Sequence, residues 1–187
     1  MLHACNAVDG TGKKLFPGKG SNQRFTQAVR RNYGILGPMG VPGINLEETR
    51  FPIAVPRPTT PDRQPDLADV IYGIHRCCHG HGDELPAGFE LIPNAGGPDG
   101  YTRMELARTD RGVTFRMSER VIFGLLAVAV LCPVNHDQTV PDSYYLAYGR
   151  QVLPINDWWA RAGDFAAIVT AGPKMPKMKM DFRNWMK

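Results

Sequence analysis

Residues 75 to 81 read His-Arg-Cys-Cys-His-Gly-His, placing one arginine, three histidines and two cysteines within seven positions. Two chemistries fit this stretch. Arg76 and His81 can act together on a phosphodiester: a guanidinium pairs bidentately with a phosphate, and an imidazole titrating near pH ~6.5 moves protons at a ribose hydroxyl or a leaving oxygen. Alternatively, His75 and His79 lie four apart and share a helix face, a known zinc spacing, with His81 or Cys78 as a third ligand. The metal reading is the weaker of the two, because Cys78 falls on an apolar stripe and no Cys-x-x-Cys pair occurs elsewhere. A Cys-His nucleophile is weaker still, since Cys77 lies beyond easy reach of His75 and no acid orients the imidazole.

The element carrying these residues starts at Asp66, an N-cap after Pro65, with Asp69 in the first turn complementing the helix dipole. At 100° per residue, Leu67, Ile71, Ile74 and Cys78 form the core stripe of one continuous helix, and Tyr72, Gly73, Arg76 and Gly80 occupy the opposite side. Gly73 and Gly80 stand two turns apart there. A surface notched in this way admits a second helix, so the projection predicts a symmetric homodimer through Tyr72, Gly73 and Gly80 that brings two copies of Arg76 together.

Around this element the pattern predicts a helix within residues 2–16, and a second from Arg24 to Leu36 that is capped by Asn22 and stopped by Gly37-Pro38. Residues 37–65 hold seven prolines, which excludes a long regular element. The apolar Ile44, Leu46, Phe51, Ile53 and Val55 make this loop a wrap over the body, or a lid. Short strands follow at 89–92, 103–107 and 113–117, the last two joined as a hairpin through Asp110-Arg111-Gly112. Ser118 caps an apolar helix over 119–131, and a last helix runs from Asn156 or Asp157 to Gly172-Pro173. There is no internal repeat, no glycine-rich phosphate loop and no Gly-x-Ser-x-Gly elbow.

The 187 residues suit one domain, and the 43 % hydrophobic and 21 % charged composition is that of an ordinary soluble chain with no targeting signal at its start. The apolar run Val121 to Leu131 is too short to span a bilayer, which takes about 20 residues. A cytoplasmic protein with reduced cysteines and no membrane contact is expected, since adjacent residues such as Cys77 and Cys78 fit disulfide geometry poorly. The net charge of +4 is mild for a nucleic-acid binder. Its placement says more: Arg24, Arg30 and Arg31 share one helix, and Lys177 and Lys179 belong to a basic, methionine-rich tail over 174–187. These five residues are the candidate RNA-backbone contacts.

The spacing Arg76-Cys77-Cys78-His79-Gly80-His81, set at a helix end in a mostly helical chain with Tyr72 upstream, resembles the HEPN superfamily over residues 1 to about 170. That resemblance implies a mainly α fold: a HEPN-like helical bundle over 1–173 with a small antiparallel β insertion near 88–117. It further implies a metal-independent endoribonuclease with Arg76 and His81 as catalytic residues, no cofactor, RNA as substrate and a homodimeric state. Cys77 stands where the family often has Asn, Asp or His. The alternative is therefore a non-catalytic helical module that binds RNA or a protein partner, with a metal-binding protein behind it.

Overall fold

The computed structural model describes residues 1–76, 89–94, 103–110, 112–174 and 176–182, apart from the side chains of His75 and Thr109. Three helices build its centre. The first, α1 (Leu2–Leu15), buries Ala4, Cys5, Val8, Thr11 and Gly12, a stripe at helical spacing. A second, α2 (Ser21–Arg31), packs Phe25, Thr26, Ala28 and Val29 inward. The expected single helix over 24–36 is broken at Asn32, whose side chain donates to Ala28 O at 2.8 Å, and resumes as α3 (Tyr33–Gly40). This third helix runs through Pro38 instead of stopping there, because Met39 and Gly40 are buried against the apolar helix α5 (Arg120–Leu131). That packing offsets the hydrogen bond the proline ring removes. At the crossing, Gly40 and Gly124 touch backbone to backbone: a Cβ on Gly124 would lie 2.9 Å from Gly40 Cα.

The proline-rich chain from 41 to 66 does wrap the body. Leu46 and Phe51 enter the core, and Phe51 stacks on Phe115 with centroids 5.2 Å apart. One end of this loop is tied by a buried ionic network. Arg30 donates to both oxygens of Asp66 at 2.6 and 2.9 Å and to Thr59 Oγ1 at 2.8 Å. Its Nη2 also stands 2.8 Å from Asp69 Oδ2, within ion-pair range though outside hydrogen-bonding geometry. Tyr33 donates to Asp66 at 3.0 Å, and burial pushes the phenol well above its ordinary range. The other end is tied by the C-terminal segment, which adds a parallel bridge between Ile44 and Met178 with Asn45 N→Met178 O at 2.9 Å and Met178 N→Gly43 O at 2.8 Å.

Helix α4 (Leu67–Val70) begins as expected, with Asp66 accepting from Asp69 N at 3.0 Å. It then departs from the α form: Ile71–Arg76 is a π-helix. The wider turn invalidates a projection at 100° per residue; along it Ile71, Gly73 and Ile74 are buried while Tyr72 and Arg76 are half-buried. Leu67, Ala68, Val70, Ile71 and Ile74 are buried in the core. Gly73 is buried too, beneath Val55 and Pro56, where a Cβ would come within 2.9 Å of Val55 Cβ. Gly73 therefore receives the chain's own loop; Gly80, the other glycine of the expected notch, lies outside the described residues.

The fold is mixed α/β and not a mainly helical bundle. Strands β1 (Phe89–Ile92), β2 (Met104–Thr109) and β3 (Gly112–Ser118) form a sheet of order β1-β3-β2. β2 and β3 are antiparallel from Met104↔Met117 to Thr109↔Gly112, as expected for the hairpin, while β1 runs parallel to β3, so the sheet is not purely antiparallel. Phe89, Phe115 and Met117 face the core, and Arg116 lies between Glu90 and Glu105 on the wet side. Ser118 Oγ accepts from Arg120 N at 3.2 Å at the start of α5. A second sheet, not anticipated, pairs β4 (Tyr145–Tyr148) with β5 (Gln151–Pro154). The expected last helix is split into α6 (Ile155–Trp158) and α7 (Ala162–Ala171) by Ala160, which has a positive φ of 64° and donates to Val130 O at 2.9 Å.

Candidate functional site

Arg76 ends the π-helical segment and emerges against α1. Its Nη2 lies 3.9 Å from Asp9 Oδ2, at the edge of ion-pair range. That carboxylate is already taken: Arg24 on α2 forks onto it, Nε→Oδ1 at 3.0 Å and Nη2→Oδ2 at 2.8 Å, a bidentate pair that makes the Arg24 guanidinium hold its proton more tightly. Arg76 Nε is buried with no hydrogen-bond partner among the described residues. Two guanidiniums thus share one carboxylate, leaving a formal excess of one positive charge and at least one unused donor.

The surroundings fix this geometry. Tyr72 packs on Phe25, centroids 5.4 Å apart, and donates to Ser21 Oγ at 3.3 Å. Helices α1 and α2 touch at Gly12, whose missing Cβ would meet Arg24 O at 2.8 Å. The thiol of Cys5, one turn before Asp9, is pushed up to about 12 by burial, against the partial opposition of the N-terminal amine and Arg76. It stays a neutral thiol at physiological pH, a small apolar side chain and not a nucleophile.

Of the other residues picked out in the sequence, Cys77, Cys78, His79, Gly80 and His81 lie outside the described residues, as does the His75 side chain. The catalytic pairing of Arg76 with His81 and the His75, His79, His81 ligand set fall there. Among the described residues, no three of His, Cys, Asp and Glu gather closely enough to hold a metal ion. The basic residues do not form one track. Arg24 joins Arg76 at Asp9; Arg30 is spent on Asp66 and Asp69; Arg31 and Lys177 are exposed. Lys179 pairs with Glu48 at 3.2 Å, a contact that draws the Glu48 carboxyl below the usual range. This last pair borders a separate cleft of about 720 Å³, lined also by Glu47, Arg50, Phe51 and Asp62, to which the Arg76 cluster contributes nothing.

Asp9 is the site residue that pattern reading missed. The signal was present, because Asp9 is four residues from Cys5 and so adjoins the buried stripe of α1, where a carboxylate requires a cationic partner.

The Rv1289 family matches residues 1–186, essentially the whole chain. The chain belongs to the Rv1289 family. It is 43 % identical over 170 residues to "Uncharacterized protein Rv1289" of Mycobacterium tuberculosis (strain H37Rv), an alignment covering 90 % of this chain and 78 % of the relative. The same figures hold for "Uncharacterized protein MT1327" of M. tuberculosis (strain CDC 1551) and "Uncharacterized protein Mb1320" of M. bovis. No solved structure matches. Membership of the Rv1289 family overturns the HEPN resemblance, which rested on one short arginine–histidine spacing, of a kind that arises readily by chance, and on a plausible helix order. Among the described residues, no helix in this member of the Rv1289 family is long and apolar enough to cross a membrane.

Proposed function

We propose that the chain holds a phosphate ester on Arg76 and cleaves RNA without a metal, with His81 as the proton-transfer group. The observation that supports this reading is the Arg76 side chain, a quarter exposed and only 3.9 Å from a carboxylate already paired bidentately by Arg24. A phosphodiester oxygen pairs with the exposed part of such a guanidinium and neutralises the excess charge. In the step proposed, a neutral His81 imidazole takes the proton of a ribose 2′-hydroxyl and the 2′-oxygen bonds to phosphorus. The bond to the 5′-oxygen then breaks, that oxygen takes a proton from water, and a 2′,3′-cyclic phosphate remains. Arg76 pairs with the non-bridging oxygens as charge builds on them. A cytoplasmic setting goes with this reading, as Cys5 and Cys132 are both free and buried.

The test is an RNA cleavage assay in the presence of chelator with wild type, His81→Ala and Arg76→Ala. Cleavage that survives chelation and is lost in both variants is the expected result; wild type that cleaves no RNA overturns the ribonuclease. One observation favours a second reading, a non-catalytic module. Arg24 and Arg30, two of the three arginines of the helix-borne phosphate track, are committed to internal carboxylates. RNA retained by wild type, released by Arg76→Ala and never cut, is the signature of that module.

A further inference from the structure

The two guanidiniums at Asp9 are not held equally. Arg24 meets the carboxylate through both oxygens at 3.0 and 2.8 Å. Its backbone is locked as well: Arg24 O lies so close to Gly12, three residues after Asp9 on α1, that a Cβ there would come within 2.8 Å. The Asp9–Arg24 pair is thus built into the crossing of α1 and α2. Arg76 approaches from a third element, the π-helical segment, and its Nη2 stays 3.9 Å from Oδ2. A shift of about 1 Å would bring that nitrogen to hydrogen-bond distance. The Asp9 side chain is only 14 % exposed, so water is a poor substitute for a lost cation, and a carboxylate vacated by Arg24 draws in the next guanidinium.

We propose that Arg24 is a positioning residue: by occupying both oxygens of Asp9 it keeps the Arg76 guanidinium free for a phosphate, and it touches no RNA itself. This rests on the reading of Arg76 as the phosphate-holding residue. It replaces the role that charge alone gives Arg24, a direct contact to the RNA backbone. Asp9 and a phosphodiester oxygen ask for the same donors of Arg76. Asp9 belongs to the same chain, so once released it competes at a high effective concentration that the substrate must overcome. With Arg24 in place that competition is weak. Arg76 then remains loosely paired with a quarter of its side chain exposed, and the same three residues pass from a receptive to a self-occupied state when Arg24 is lost.

The test is binding of a fluorescent single-stranded 2′-O-methyl RNA, which lacks the attacking hydroxyl, by the full chain at one fixed salt concentration. Arg76→Ala is expected to weaken binding about tenfold, the weight of one charge-assisted contact, and Arg24→Gln to weaken it by a similar factor. Two double variants separate positioning from direct contact. In an Arg76→Ala chain, Arg24→Gln changes affinity by less than about twofold, because the residue it acts through is gone. Asp9→Asn combined with Arg24→Gln returns affinity to within about twofold of wild type, because the competing carboxylate is gone. Arg24→Lys, which keeps the charge but cannot fork onto both oxygens, binds between wild type and Arg24→Gln and serves in its place if the glutamine variant does not fold by circular dichroism. Wild type that binds no RNA, or Arg76→Ala that binds as wild type does, overturns the phosphate reading and this inference with it. Arg24→Gln that binds as wild type does, or that costs as much again in the Arg76→Ala chain, overturns this inference alone, as does a failure of Asp9→Asn to restore binding.

Discussion

Alanine substitutions at Gly10 and Gly12 test the contact that positions the Asp9–Arg24–Arg76 cluster. Both glycines lie inside α1, two residues apart, and each substitution gains about 1 kcal/mol of helix propensity. Their surroundings differ: a Cβ at Gly10 meets nothing within 4 Å, whereas one at Gly12 meets Arg24 O at 2.8 Å, Arg24 C at 3.1 Å and Ala28 Cβ at 3.4 Å. The nearest obstacles are backbone atoms, so α2 must move bodily by about half an ångström to relieve the clash. Overpacking of this kind costs about 1–3 kcal/mol. Gly10→Ala is therefore more stable than wild type by up to about 1 kcal/mol, and Gly12→Ala ranges from neutral to about 2 kcal/mol less stable. The gap between the variants is the packing cost alone, about 2–12 °C in melting temperature for a chain of this size. Urea unfolding followed by circular dichroism reads it directly. Equal stability of the two variants would show that α1 and α2 do not touch at Gly12, and the geometry of the cluster would fall with that contact.

Asp66→Ala removes the acceptor of Arg30 and Tyr33 together with the cap of α4, and should cost about 3–5 kcal/mol in denaturant unfolding. Asp62→Ala, at the exposed pair with Arg50, should cost little by the same measurement. Gly73→Leu should unfold or strongly destabilise the domain, read as a lowered melting temperature, because Val55 and Pro56 occupy the space its side chain needs. Stability should also fall in alkali. Burial raises the folded-state thiol of Cys5 from 9.0 to about 12, so its contribution is complete below pH 9.0 and is lost as pH climbs toward 12, by about 1.4 kcal/mol per unit. Tyr33, likewise raised from 10.0, acts in the same direction above that pH. A Cys5→Ala chain should show a shallower decline between pH 9 and 10 in unfolding titrations, and an unchanged slope would refute the assignment.

Local signals carried much of the fold. The Asp66 cap, the three strands at 89–118 and the helix after Ser118 each announce themselves through residues adjacent in sequence, and each appears close to its expected bounds. Elements decided by distant packing did not announce themselves. Nothing near Ile71 encodes a switch to π-helical turns, which depends on α1, α2 and the loop at Val55 pressing from different sides. The β4–β5 hairpin was missed because its two apolar faces remove the alternation that marks a strand. At the site, Arg76 was visible as a residue type, but its neighbours were not: Asp9 and Arg24 are far off in sequence and meet it only because glycine lets α1 and α2 close together. Arg30 was read as a candidate RNA-backbone contact for the same reason, since its partners Asp66 and Asp69 lie 36 and more residues downstream.

The bridge between Ile44 and Met178 also orders events during synthesis. Residues 43–49 leave the ribosome early, yet the strand edge and hydroxyl partners that fasten them come from Met178 and Met180. At about 5–20 residues per second, the intervening 130 or so residues take roughly 7–27 s to emerge. Throughout that interval the 43–49 end of the loop lacks these backbone partners, although Phe51 is held at Pro65 O and, once it has emerged, by Phe115. The nascent chain must therefore keep an apolar, proline-stiffened arm out of contact with its neighbours on the same message, and the prolines, which cannot enter the ladder of an aggregating sheet, suit it to that wait.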